Sequence, residues 1–72
     1  MMIGDVQIDS ARLRQLRRER ALSQQALERM TGIAQSTISN LEQGNRPARL
    51  STIRKLAEAL GIEPREVMQR EE

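Results

Sequence analysis

With 72 residues, 12 basic against 10 acidic side chains (formal charge +2) and 38% apolar residues, the chain has room for one small core in one domain. It holds no Cys and no His, which excludes disulfides, the usual zinc sites and two common catalytic groups, so no metal, organic cofactor or enzymatic turnover is expected. No apolar run approaches the ~20 residues of a membrane span, and the N-terminus lacks the basic-then-apolar order of a signal peptide. A cytoplasmic protein with no membrane contact and no evident small-molecule substrate is therefore expected.

Residues 1–8 have no helical period, and the alternation of Ile3, Val6 and Ile8 is too imperfect for a strand, so a flexible lead-in is predicted. Asp9 can cap a first helix over about 10–20, with Ile8 and Leu13 as a hydrophobic staple and Leu13 and Leu16 on its buried side. Its last turn holds Arg17, Arg18 and Arg20, which complement the helix dipole. Ser23 caps a second helix from Gln24 to about Thr31, stapled by Leu22 and Leu27, and Gly32 supplies a left-handed stop. The chain re-enters a helix within about three residues, as a helix-turn-helix requires.

That third helix, about Gln35 to Gln43 and ended by Gly44, organises the rest. At about 100° per residue, Ile38 and Leu41 fall on one side and Ser36, Ser39, Asn40 and Gln43 on the other. Uncharged donors and acceptors suit base edges in a major groove, where Asn and Gln can bond adenine bidentately. Periodicity alone fits an ordinary solvated face at least as well. Asn45-Arg46-Pro47-Ala48-Arg49 is a loop, either a plain connector or a phosphate contact. Ser51 is the predicted cap of a fourth helix carrying Ile53, Leu56, Ala57 and Leu60 and closed by Gly61. Pro64 fits N1 of a fifth, short helix with Ile62 and Val67 as its staple, and 69–72 should fray. The domain proper is thus placed at 9–68.

Charge is unevenly spread: residues 1–20 carry five Arg against three acids, while residues 51–72 carry four bases against five acids. Most of these charges suit a pair-laced helical surface. Eleven of the twelve bases are Arg, whose planar fork suits phosphate. Single-strand and RNA-loop binders commonly stack bases on aromatic rings, and this chain has none, which favours double-stranded DNA among nucleic acids.

The run from Leu22 to Gly44, through Leu22-Ser23-Gln24, Leu27, Gly32-Ile33, Gln35-Ser36-Thr37-Ile38-Ser39, Leu41-Glu42 and Gly44, resembles the helix-turn-helix of the lambda-repressor and Cro type, also called XRE-like. The similarity extends through Leu13, Leu16-Arg17 and Arg20 upstream and Ile53, Leu56-Ala57, Leu60-Gly61-Ile62 and Val67 downstream, covering about residues 9–68. The resemblance implies an all-α, compact bundle of five short helices that regulates transcription with its third helix in the major groove of duplex DNA. It implies base contacts from Gln35, Ser36 and Asn40, and phosphate contacts from Gln24, Thr37, Gln43, Asn45 and Arg46, with Ser23 and Arg49 as weaker candidates. It also implies a partly buried ion pair between Arg17 and Glu42. Three positions depart from the pattern: Glu28 replaces a usual Ala, Ala21 a frequent Gly, and Ala34 a common capping Ser or Thr.

One short recognition helix touches too few base pairs to discriminate against a genome, so a homodimer on a pseudo-palindromic operator is expected. Ile62, Val67 and Met68, close together near the end, are its candidate interface. The alternative is a protein-interaction or antitoxin-type module that keeps the fold.

Overall fold

The structure is a computed structural model that describes residues 5–44 and 47–69. Its elements run β1 (Asp5–Val6), α1 (Ser10–Glu19), α2 (Gln24–Thr31), α3 (Gln35–Gln43), β2 (Ala48–Arg49), α4 (Leu50–Leu60) and a 3-10 turn over Pro64–Val67. The described residues therefore form four α-helices rather than five. Pro64 does open the last turn, but the chain is extended again by Met68, which bridges Ile8, so no α-helical turn has room to form.

Local chemistry sets most boundaries. The Asp9 carboxylate accepts from Arg12 N–H at 3.1 Å, and Ser23 Oγ accepts from Ala26 N–H at 2.9 Å, each satisfying an orphan donor of its helix. Ala34 offers no side-chain cap to α3. The residue capping α4 is Arg49, not the predicted Ser51, which lies inside the helix. Gly32, at φ 78°, lets the chain leave α2, and Thr31 Oγ1 then accepts from Ile33 N–H at 3.1 Å, fixing the turn into α3.

From Asp5 onward the lead-in contains a short strand that its alternation did not predict. Strand β1 pairs antiparallel with β2, Asp5 opposite Arg49 and Val6 opposite Ala48. Ile8 is buried, Asp9 N–H donates to Val67 O at 2.8 Å, and Gln69 N–H donates to Gln7 O at 3.0 Å. Residues 1–4, and 70–72 of the predicted tail, lie outside the described residues, as do Asn45 and Arg46.

The core joins Leu13 and Leu16 of α1, Leu27 of α2, Ile38 and Leu41 of α3, and Ile53, Leu56 and Leu60 of α4, with Ile8, Ala48 and Val67 closing its edges. Helix α3 packs on α1 and α2, while α4 packs on α2 and the 3-10 turn. Arg20 ties the ends of two helices together, its Nε donating to Leu60 O at 2.7 Å. Glu28, at the position where a small residue is usual, stays half-buried and makes no ion pair among the described residues.

Helix α1 ends in a Schellman arrangement, with Ala21 N–H bonded to Arg18 O at 2.9 Å and Leu22 N–H to Arg17 O at 3.2 Å. This motif requires a left-handed residue, and Ala21 holds φ 55°, the one non-glycine with positive φ among the described residues. Such a conformation costs an L-residue about 1–2 kcal/mol, partly offset in a Gly variant by its freer unfolded chain. Ala21→Gly is expected to stabilise the fold by about 0.5–1 kcal/mol, read as a higher urea midpoint at unchanged m-value. A lower midpoint would contradict the strain assigned to this turn.

Candidate nucleic-acid interface

Helix α3 is two-sided. Ile38, Leu41 and Glu42 are buried, Gln35, Ser36 and Gln43 are exposed, and Thr37, Ser39 and Asn40 are half-exposed. Gln43 Nε2 donates to Ser39 Oγ at 3.0 Å, whereas the side chains of Gln35, Ser36 and Asn40 have no hydrogen-bond partner among the described residues. The three base-facing candidates therefore share one accessible face of a helix whose other face is locked into the core.

The lock is polar as well as apolar. Arg17 meets Glu42 through two parallel bonds, Nε to Oε2 at 2.6 Å and Nη2 to Oε1 at 2.9 Å. Its third arm, Nη1, donates to Leu22 O at 2.8 Å in the turn before α2. Gln24 Nε2 adds a bond to Glu42 Oε1 at 3.2 Å, and Arg14 Nε lies 3.8 Å from the same oxygen. The Glu42 side chain is 2% exposed and that of Arg17 11%. A buried carboxylate needs this many partners, because bringing an unpaired charge out of water costs several kcal/mol.

Burial by itself would push the Glu42 carboxyl up. The hydrogen bonds from Arg17 and Gln24, with the charges of Arg17 and Arg14 beside it, outweigh burial and hold it below its ordinary value of 4.5. The same hydrogen bond raises the Arg17 value against the opposing effect of burial.

Sequence reasoning missed three supports of this arrangement. Ser10 Oγ donates to Leu41 O, Arg14 Nη2 donates to Glu42 O at 3.4 Å, and Gln24, assigned to phosphate, spends one amide hydrogen on Glu42. Ser10, Arg14 and Arg17 recur at i, i+4 and i+7, one stripe of α1 aimed at the end of α3. That spacing was visible in the sequence as a polar stripe beside Leu13 and Leu16.

The remaining candidates are distributed as follows. Ser23 is exposed but acts as the cap of α2, Thr37 and Arg49 line one hollow beside α3, and Asn45 and Arg46 lie outside the described residues. Val67, expected at the dimer contact, offers no surface to a partner, since it is the buried last residue of the 3-10 turn and is 0% exposed within the single chain. Ile62 and Met68 are half-buried against the same core. No group of three or more His, Cys, Asp or Glu side chains among the described residues could hold a metal ion, and no described helix is long and apolar enough to cross a membrane.

Residues 13–67 match the helix-turn-helix family HTH_3. The chain belongs to this helix-turn-helix family. Among its similar proteins, an uncharacterised HTH-type transcriptional regulator, y4dJ of Sinorhizobium fredii, is 43% identical over 47 residues, which are 65% of this chain and 61% of that protein. The chain thus spans under two thirds of that relative's length. The restriction-modification controller protein C.AhdI from Aeromonas hydrophila superposes with a TM-score of 0.76 at 46% identity, covering 79% of this chain and 86% of that one. A hypothetical transcription factor, NHTF from Neisseria, gives a TM-score of 0.74 at 30% identity over 79% of this chain and 66% of its own. The helix-turn-helix of the family falls here on α2, Gly32 and α3, the segment that Arg17 and Glu42 pin to α1.

Removing either partner leaves the other charge buried, so Arg17→Ala and Glu42→Ala are each expected to cost about 3 kcal/mol. A double-mutant cycle of unfolding free energies should show coupling, and additive losses would contradict the pairing. Because the native Glu42 value is lowered, its stabilising contribution is fully present above pH 4.5 and is lost as pH falls through the lower native value. The coupling should therefore shrink in the acid limb of a pH titration.

Proposed function

We propose that this helix-turn-helix protein is a sequence-specific duplex-DNA-binding transcriptional regulator that places α3 in the major groove. The observation that carries the reading is the set of Gln35, Ser36 and Asn40, accessible and unengaged on the outer face of a helix held rigidly from behind. Short amides and hydroxyls there can exchange hydrogen bonds with base edges without the desolvation cost of a charge. Thr37, Gln43 and Arg49 on its flanks, together with Asn45 and Arg46, act as phosphate contacts that set register, and Ser23 and Gln24 at the start of α2 assist them.

The active form in this reading is a two-fold dimer, with Ile62 and Met68 contributing their exposed portions. Two-fold symmetry sets the two recognition helices about 34 Å apart, so the operator is a pseudo-palindrome with half-sites one helical turn apart. The alternative of a protein-interaction or antitoxin-type module finds less support. Among the described residues the one large exposed apolar side chain is Met30, which is short of the contiguous patch that such docking uses.

Asn40→Ala is expected to weaken specific binding by about 1–3 kcal/mol and to relax preference at one operator position. Arg46→Ala should instead weaken all duplexes nearly alike and lower the salt slope by about one unit. Competition binding across operator variants at several salt concentrations separates the two, and identical sequence profiles would overturn the division into readers and positioners. The dimer has its own check in sedimentation with footprinting: a chain that stays monomeric at micromolar concentration and protects one half-site would refute it.

A further inference from the structure

Beside the outer face of α3 lies an open hollow of about 490 Å³, lined by Thr37 and Leu41 of α3, Pro47, Ala48 and Arg49 of the loop and β2, Thr52 of α4, and Asp5 of β1. Two of these, Thr37 and Arg49, were assigned to phosphate from the sequence, and the fold brings them together. Among the described residues of the lining, Asp5 is the one acid and Arg49 the one base. The two are register partners across the β1–β2 ladder, where directly opposed side chains share a face and opposite charges attract. Neither is buried and no Asp5–Arg49 ion pair within 4.0 Å forms among the described residues, so the two charges act on each other through solvent and both stay open to a competing ion.

We propose that Asp5 is an affinity-setting residue: its carboxylate, held opposite Arg49 in the Thr37–Arg49–Thr52 hollow, competes with a DNA phosphate for that arginine and lowers sequence-independent binding. The inference rests on the DNA-reading function above and adds a residue that the base-facing helix does not contain. Asp5 acts on Arg49, and Arg49 on the phosphate. Since phosphate contacts carry no sequence information, the effect falls on operator and random duplex alike, reducing occupancy of competing sites without changing base preference. Asp5 is set opposite Arg49 by backbone pairing of β1 with β2, a pairing that does not use the Asp5 side chain.

The test uses the full chain with Asp5→Asn, Arg49→Ala and the double variant, titrated against a selected duplex and a scrambled one between about 50 and 200 mM salt. Asp5→Asn should tighten both duplexes by about two- to five-fold at the lower salt, with a steeper salt slope, an unchanged ratio between duplexes and an unchanged urea midpoint. In the Arg49→Ala background most of that gain should vanish. An Asp5→Asn variant that binds no tighter than wild type, or a gain that persists in full without Arg49, overturns the role of Asp5 while leaving the DNA-reading function standing. A folded wild-type chain that binds neither duplex at any salt overturns the function itself, and this proposal with it.

Discussion

The two parallel bonds from Arg17 to Glu42 are the constraint on which the rest of the structure depends. Helix α3 is nine residues long and ends without a basic residue in its last turn, too short to be stable alone. Two buried apolar side chains, Ile38 and Leu41, would leave it free to rock on the core. Placing a carboxylate at the buried edge of that helix, satisfying it from α1 and α2, and anchoring its Arg17 partner to Leu22 O in the turn between them, fixes the rotation of α3 as well as its position. A buried pair of this kind adds little net stability relative to an apolar pair of the same shape. Its value lies in geometry, because an amide reading a base edge must be placed to within a few tenths of an ångström.

The same pair explains why so much of α1 is arginine. Ser10, Arg14 and Arg17 form the stripe that meets the C-terminal end of α3, where unsatisfied carbonyls and the helix dipole favour donors. Arg20 does the same for α4 through Leu60 O. What composition presents as a positive field is, for these side chains, mostly internal carpentry. Under the proposed DNA-binding function, fewer cations are left for a phosphate backbone than the net count suggests, which gives a single residue such as Arg49 more weight.

Legibility in the sequence followed the range of the interactions. Helices α2 and α3 and their stops at Gly32 and Gly44 depend on neighbours within four residues, and caps, staples and the 3.6-residue period locate them at the observed ends. The same period sets Ser36, Ser39, Asn40 and Gln43 on the outward side, while Gln35 entered as a base-facing candidate only through the family resemblance. Strand β1 could not be seen, since its partner Ala48–Arg49 lies more than forty residues away and its alternation is only two residues long. The fifth helix failed for a related reason: Pro64 signals a start, but Met68 is committed to Ile8 across the molecule. Val67 looked available because it lies close to Ile62 and Met68 near the end of the sequence, while its burial depends on α1 and α4 packing against the 3-10 turn. The Asp5–Arg49 juxtaposition is of this long-range kind too.

The central claim of the proposed function is that the outer face of α3, held from behind by the buried ion pair, reads base sequence. The most direct measurement is selection of bound duplexes from a random pool by the wild-type chain. The account predicts enrichment of two inverted half-sites whose centres lie about one helical turn apart, each containing a position that accepts from or donates to an amide in the major groove. A pool that emerges with no sequence enriched over the input, although the chain is folded and retained on the duplexes, would contradict it.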